Sequence, residues 1–259
     1  MISIIQKRLL EIEQKENVVI FFACESGSRA WGFPSANSDY DVRFIYARPV
    51  EWYLSIADAR DVIECPIDDQ LDINGWDIKK ALQLFRKSNP PLLEWLGSPI
   101  VYKEQFDIAN KMRALANEYY SPLACIHHYL HMAEGNYREY LKGEEVRIKK
   151  YFYVLRPLLA IQWLERGHGV APTAFGVLVD RLLPAGALRK AIEGLIEKKR
   201  SGEELAAGPR IQVISDFIDS ELARLTKGIS ASPNAAPVKT MDNLFRAALK
   251  TIWGDTFKV

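Results

Sequence analysis

The sequence predicts an α+β chain, in which a mixed sheet with helices packed on it is followed by an all-helical region. Three observations lead there. Up to about residue 96, short apolar runs rich in β-branched and aromatic residues alternate with helical patterns, whereas beyond residue 104 long 3.6-residue periodicities take over. Charge divides at the same place: residues 1–104 carry 12 basic and 16 acidic side chains, the remainder 22 and 17. A boundary near Gly97–Glu104 therefore separates an expected first domain, 1–104, from a helical second domain, 105–259.

Ile5, Leu9 and Ile12 recur at helical spacing and predict a first helix over 2–15. Val18–Cys24 is a short apolar run of the kind that forms a strand buried on both faces. Glu25-Ser-Gly-Ser-Arg-Ala-Trp-Gly32 reads as a strand-to-helix turn, Phe33–Ser38 as a polar loop, and Asp39–Tyr46 as a second strand. On that strand Asp39, Asp41 and Arg43 share a face, because side chains alternate. Residues 60–64 and 70–74 suggest two more strands around the turn-rich 65–69 segment, with Asp72 facing away from Leu71 and Ile73. Ile78, Leu82 and Phe85 mark a helix, and Asn89-Pro90-Pro91 opens another. Further helices are expected over 105–119, 122–141, 145–165, 173–182, 185–199, 210–226 and 240–253, with the Ala/Pro/Ser-rich 229–238 stretch as a linker or mobile loop.

A net charge of +1 over 259 residues argues against a polybasic nucleic-acid coat protein. Cys24, Cys65 and Cys125 are three, widely spaced and without a CxxC pair, which excludes a disulfide framework or thiolate zinc site and fits a reducing compartment. No early apolar stretch approaches the ~20 residues of a membrane span, and no basic-then-apolar signal pattern opens the chain, so a cytoplasmic protein without a membrane partner is expected.

The chemistry-bearing unit is Gly27-Ser28, then Asp39-x-Asp41, then Asp72 on a later strand. Gly-Ser at a helix opening lets main-chain N–H groups and a hydroxyl approach a phosphate. Carboxylates at i and i+2 on one strand face repel unless a cation lies between them, and hard divalent ions are held by few carboxylates plus substrate phosphates. A third carboxylate from a neighbouring strand suits two-metal phosphoryl chemistry. Arg43 either neutralises Asp41 or touches a phosphate, and Glu25 is expected to pair with Arg29.

This arrangement resembles the DNA polymerase β-type nucleotidyltransferase superfamily. The longer string over 25–46, with Asp72–Lys80, Lys87–Pro90 and Lys149–Pro157, looks like a bacterial and phage family of nucleotidyltransferases labelled as RNA-repair-pathway members. The resemblance covers roughly residues 20–165. It implies a polymerase β-like sheet. It implies that Gly27 and Ser28 cradle an NTP triphosphate, with Arg29 and Arg43 beside it. It further implies that Asp39 and Asp41 hold two Mg²⁺ ions, and that Asp72 also serves at the metals and orients or deprotonates an acceptor hydroxyl as pyrophosphate leaves. Asp77 competes for that last role, but its place at the start of a helix suits a cap.

In the helical half, Lys149, Tyr153 and Arg156 fall at i, i+4 and i+7 and, with Lys150, could grip a triphosphate and stack a base. His127, His131 and Glu134 share a face that lacks completing metal ligands, and Lys198–Arg200 reads as a solvated helix end. The expected activity is Mg²⁺-dependent NMP transfer, with an RNA 3′ end as acceptor. The rivals are transfer to a protein side chain or small-molecule hydroxyl, and a non-catalytic nucleotide-binding module.

Overall fold

In the computed structural model, which describes residues 1–57, 59–67, 70–203, 205–225 and 236–254, the chain forms two compact units. One comprises Met1–Ala30, Asp39–Tyr120 and Ala235–Val259, the other Trp31–Ser38 and Ser121–Asn234.

The first unit begins with α1 (Ile2–Glu16), which buries the Ile5, Leu9 and Ile12 stripe and ends at Asn17 in the left-handed region (φ 50°). The apolar run becomes β1 (Val19–Glu25), whose last six residues are buried. A short helix, α2 (Gly27–Trp31), leads towards β2 (Tyr40–Ala47), then α3 (Val50–Tyr53), β3 (Val62–Glu64) and β4 (Leu71–Asp77). Helices α4 (Ile78–Arg86) and α5 (Pro90–Leu96) follow, each started by a side-chain cap, from Asp77 and Asn89 respectively. Then come β5 (Val101–Glu104) and α6 (Ile108–Tyr119).

The five strands form one mixed sheet in the order β3-β4-β2-β1-β5, parallel between β2 and β4 and antiparallel elsewhere. Its core gathers Ile5, Leu9, Ile20, Val42, Phe44, Tyr46 and Ile73. Strand β4 alternates strictly: Leu71, Ile73, Gly75 and Asp77 are buried, while Asp72, Asn74 and Trp76 lie on the other, partly open face. Strand β5 was not expected. Its Val-Tyr-Lys-Glu sequence is partly exposed at the sheet edge, so it carries no apolar run, and charged residues are normal edge protection.

The second unit contains α7 (Pro122–Tyr140), β6 (Glu145–Arg147), a single 3₁₀ turn (Ile148–Lys150), α8 (Tyr151–Glu165), α9 (Phe175–Leu182), α10 (Ala187–Arg200), β7 (Ala207–Pro209) and α11 (Gln212–Leu225). It is helical apart from the small β6–β7 antiparallel ladder. The helix expected from 145 therefore starts at Tyr151. The backbone of 145–147 is satisfied by 207–209, a long-range partner that local periodicity does not register. Helix α8 is buried nearly all round, as a central helix must be. The Tyr151 hydroxyl hydrogen-bonds Ser215 Oγ at 2.8 Å and accepts from Ile211 N at 3.0 Å, joining α8 to α11.

The chain then returns to the first unit as α12 (Val238–Trp253). Arg86 Nε donates to the Ala236 carbonyl at 2.9 Å, and the Tyr53 and Phe245 rings meet edge to face at 5.0 Å. The compact units thus differ from the expected 1–104 and 105–259 division. β5 pairs with β1, α6 packs on β1 and α5, and α12 packs on α4. Of the 229–238 stretch, 229–235 lie outside the described residues, as do Asp68 and Asp69 of the expected 65–69 turn and residue 226 at the end of the expected 210–226 helix. No described helix is long and apolar enough to cross a membrane.

Gly75 pairs with Phe44 across β4 and β2, and a Cβ there would lie 2.3 Å from the Phe44 ring. Gly75→Ala should destabilise the chain by about 1–3 kcal/mol through overpacking, measurable as a lower urea midpoint. An unchanged midpoint would show that the ring moves aside freely.

Candidate active site

The parallel pairing of β2 with β4 sets Asp41 directly opposite Asp72. Their side chains are 22% and 24% exposed. Two carboxylates held this way repel one another unless positive charge lies between them. Arg43, two residues along β2, supplies it. Its Nη2 donates to Asp72 Oδ2 at 2.7 Å and to Asp41 Oδ1 at 3.3 Å. Its Nη1 donates to the main-chain carbonyls of Asp72 at 2.8 Å and Val42 at 3.1 Å. Of the two roles open to Arg43 in the sequence, the structure displays neutralisation, and of both carboxylates rather than one. Asn74 Nδ2 adds a 3.4 Å contact to Asp72 Oδ1.

Behind Asp41 lies a polar support that the sequence did not announce. Ser26 N donates to the Asp41 carbonyl at 2.8 Å, and Asp41 N donates to Glu25 Oε1 at 2.8 Å. Glu25 is fully buried, and burial pushes its carboxyl up to about 7. The Tyr102 hydroxyl donates to Glu25 Oε2, and Ser98 Oγ donates to the Glu25 carbonyl at 2.6 Å. Glu25, expected to pair with Arg29, thus holds the main chain of Asp41. Tyr102 lies on the unforeseen strand β5, so no local signal marked it.

Gly27 has φ 57°, and a Cβ there would lie 1.9 Å from Asp41 Oδ2. Left-handed backbone and close approach both demand glycine. Ser28 follows in α2. Arg29 Nε donates to the Asp39 carbonyl at 3.1 Å, and its guanidinium sits 3.6 Å from the centre of the Tyr40 ring. Asp39 is exposed, one residue before β2 begins. The structure therefore brings Asp41 and Asp72 together but does not gather Asp39 with them. Among the described residues no group of three His, Cys, Asp or Glu side chains is placed to hold a metal. The donor set around Asp41 nevertheless fits a hard divalent cation: two facing carboxylates, oxygen donors only, already share one positive group.

Asp77 stands apart, paired in register with Tyr46 rather than Asp41. It is fully buried; Oδ1 accepts from Lys79 N at 2.8 Å, capping α4, and Oδ2 accepts from the Tyr53 hydroxyl at 2.7 Å. Burial raises its carboxyl to about 6. It has the expected features of a cap.

In the helical unit the expected Lys149–Tyr153–Arg156 face does not form. Lys149 and Lys150 lie in the 3₁₀ turn before α8, and Tyr153 is exposed. Arg156 is only 2% exposed. It donates to the carbonyls of Pro172 (Nη2, 3.3 Å) and Thr173 (Nε, 3.4 Å), with its guanidinium 5.4 Å from the Trp31 ring centre. Because α8 is buried nearly all round, its arginine points inward and ties down main chain. In this structure the residue expected to grip phosphate is instead buried against main-chain carbonyls. Lys150 Nζ lies 4.2 Å from the Tyr140 ring centre and 4.7 Å from that of Tyr153. Lys199 and Arg200, expected in solvent, donate to Ser35 Oγ at 3.3 Å and the Gly32 carbonyl at 2.7 Å. His131 is exposed, 3.9 Å from Glu134.

A mixed sheet with packed helices, carrying Gly-Ser ahead of a strand Asp-x-Asp, is the architecture of polymerase β-like nucleotidyltransferases. The chain belongs to the RNA repair pathway DNA polymerase beta family, whose model matches residues 1–247. It is also similar to the uncharacterized protein YcgL of Bacillus subtilis (strain 168), with 51% identity over 251 residues that cover 95% of this chain and 96% of that one.

Asp77 supplies a pH test of the fold around the site. Its carboxyl is raised from 3.8 to about 6, so the neutral form stabilises the fold below pH 4 and that contribution is lost as pH rises through 6. Urea melts between those pH values should show Asp77→Asn losing less stability than wild type on raising the pH, by up to about 3 kcal/mol. Identical slopes for the two proteins would refute a buried, upshifted Asp77.

Proposed function

We propose that this chain transfers a nucleoside monophosphate from an NTP to an acceptor hydroxyl with release of pyrophosphate, the acceptor being an RNA 3′ end. The observation that carries this reading is the direct pairing of Asp41 with Asp72 on adjacent parallel strands, with Gly27 packed against Asp41. Membership of a polymerase β-like family named for RNA repair supports it and favours RNA as the acceptor.

Asp41, with Asp72 across the strand pair, would hold Mg²⁺, and Asp39, which the structure does not gather with them, is assigned as the further ligand of a two-ion site. Bound there, the ions would neutralise phosphate charge and favour in-line displacement at the α-phosphorus. Gly27, lacking a side chain, lets main chain approach the triphosphate, with the Ser28 hydroxyl and the Arg29 guanidinium as further donors. Asp72 accepts the proton of the attacking hydroxyl. That hydroxyl oxygen bonds to the α-phosphorus as the bond to the pyrophosphate oxygen breaks. Lys149, Lys150 and Tyr153 are assigned to nucleotide contact, and Arg156 to holding the helical unit in shape.

The test incubates the full chain with Mg²⁺, each α-³²P-labelled NTP and RNA oligonucleotides whose 3′ end is free or blocked. Label should enter only the free-ended RNA, and Asp41→Ala should abolish incorporation without unfolding the chain. Asp72→Asn should lower kcat by about 10²–10⁴-fold, the usual worth of a general base, while folded Asp77→Asn keeps wild-type turnover. Full activity in Asp41→Ala would sink the assignment. Label in protein or small metabolites, with RNA unlabelled, would replace the acceptor.

A further inference from the structure

The trio of Asp41, Asp72 and Arg43 has a further consequence, which rests on the transferase reading above. We propose that Arg43 is a resident counter-cation: in the free chain its guanidinium occupies the place between the two carboxylates that a divalent cation takes, and the cation enters by displacing it.

The geometry divides Arg43 into two parts. Nη2 is committed to the carboxylates, at 2.7 Å from Asp72 Oδ2 and 3.3 Å from Asp41 Oδ1. Nη1 is committed to main chain, at 2.8 Å from the Asp72 carbonyl and 3.1 Å from the Val42 carbonyl. A metal ion competes for the carboxylate oxygens alone. The guanidinium thus gives up Nη2 while Nη1 keeps it tethered, and displacement is a local swing rather than expulsion of the side chain.

Charge gives the direction of the competition. Arg43 is 15% exposed, and its single charge leaves the trio with one net negative charge. Without the arginine two partly desolvated carboxylates would face each other uncompensated, which is costly in a medium of reduced dielectric. With both arginine and a divalent ion in place, the positive charge would exceed the negative. The two cations therefore compete for the same carboxylate oxygens. Asn74, the neutral group beside Asp72, adds no charge to the trio. Two properties follow. The free chain holds Asp41 and Asp72 side by side, and it resists a divalent ion arriving alone. An ion that arrives with a nucleotide brings phosphate oxygens to receive the released Nη2, so metal and nucleotide bind with positive coupling.

The experiment measures Mn²⁺ binding to the full chain by electron paramagnetic resonance, with Mn²⁺ standing in for Mg²⁺, alone and with a non-hydrolysable NTP analogue. Arg43→Gln should bind Mn²⁺ alone about tenfold more tightly than wild type, because the competing charge is gone. It should melt at a lower temperature without metal, recover more on Mn²⁺ addition, and lose the coupling between Mn²⁺ and the analogue. The double variant with Asp72→Asn should lose the gain in affinity, which locates the gain at this pair. Arg43→Lys, whose compact ammonium cannot make the two-pronged contact, should also bind Mn²⁺ more tightly than wild type, by less, and it carries the comparison if Arg43→Gln does not fold. Wild-type Mn²⁺ binding with unchanged or weaker binding in the Arg43 variants overturns the counter-cation role while leaving the transferase reading in place. Failure of wild type and variants alike to bind Mn²⁺, with or without the analogue, overturns both.

Discussion

The structure around the candidate site depends on the register of β2 against β4. Parallel pairing from Tyr40 opposite Leu71 to Tyr46 opposite Asp77 forces Asp41 and Asp72 into adjacency, because side chains repeat every second residue and opposed positions share a face. A shift of β4 by one residue would bury Asp72 beneath the sheet and expose Ile73 in its place. The hydrophobic face therefore specifies the polar one: Val42, Phe44, Leu71 and Ile73 pin the register by their burial. The cost of juxtaposing two negative charges is offset by Arg43, placed on the same face by the same alternation.

The remaining elements of the first unit support this pair from behind. Glu25 at the end of β1 accepts from the main chain of Asp41, and Tyr102 and Ser98 in turn hold Glu25. The chain thus places a buried carboxyl, costly to ionise, directly behind a partly exposed one. Buried polar groups are tolerated when hydrogen-bonded, and this one aligns the strand that carries Asp41. At the opposite end of the same strands Asp77 serves the fold, capping α4 and receiving Tyr53. Two acids five residues apart on one strand are thereby divided between the open face of the sheet and its core.

The helical unit shows a similar division between what looks chemical and what is structural. Arg156, expected to grip phosphate, and Lys199 and Arg200, expected in solvent, each donate to a group of their own unit. Lys149, Lys150 and Tyr153 remain at the surface or partly so, in and after a 3₁₀ turn bordered by the β6 strand. Family membership accounts for the coarse class of the chain, a polymerase β-like nucleotidyltransferase type linked by name to RNA repair.

Much of the fold was legible because its signals are local. The α1 stripe, the apolar run of β1, the Asp-x-Asp strand, the capped starts of α4 and α5, and the long helices beyond 105 all announce themselves within a few turns of chain. The close approach of Gly27 to Asp41 and the shared strand face of Asp41 and Arg43 were legible for the same reason, since both are written in neighbouring residues. Tertiary structure alone decided the rest. That β5 completes the sheet, that α12 returns to the first unit, and that 145–147 pairs with 207–209 are long-range events without a local period. That Arg43 spans both carboxylates, that Glu25 lies beneath Asp41, that Asp39 stands outside the pair and that Arg156 turns inward depend on which surfaces are buried by residues distant in sequence. Periodicity states which face of an element is apolar; only packing states what that face, and the charges beside it, will meet.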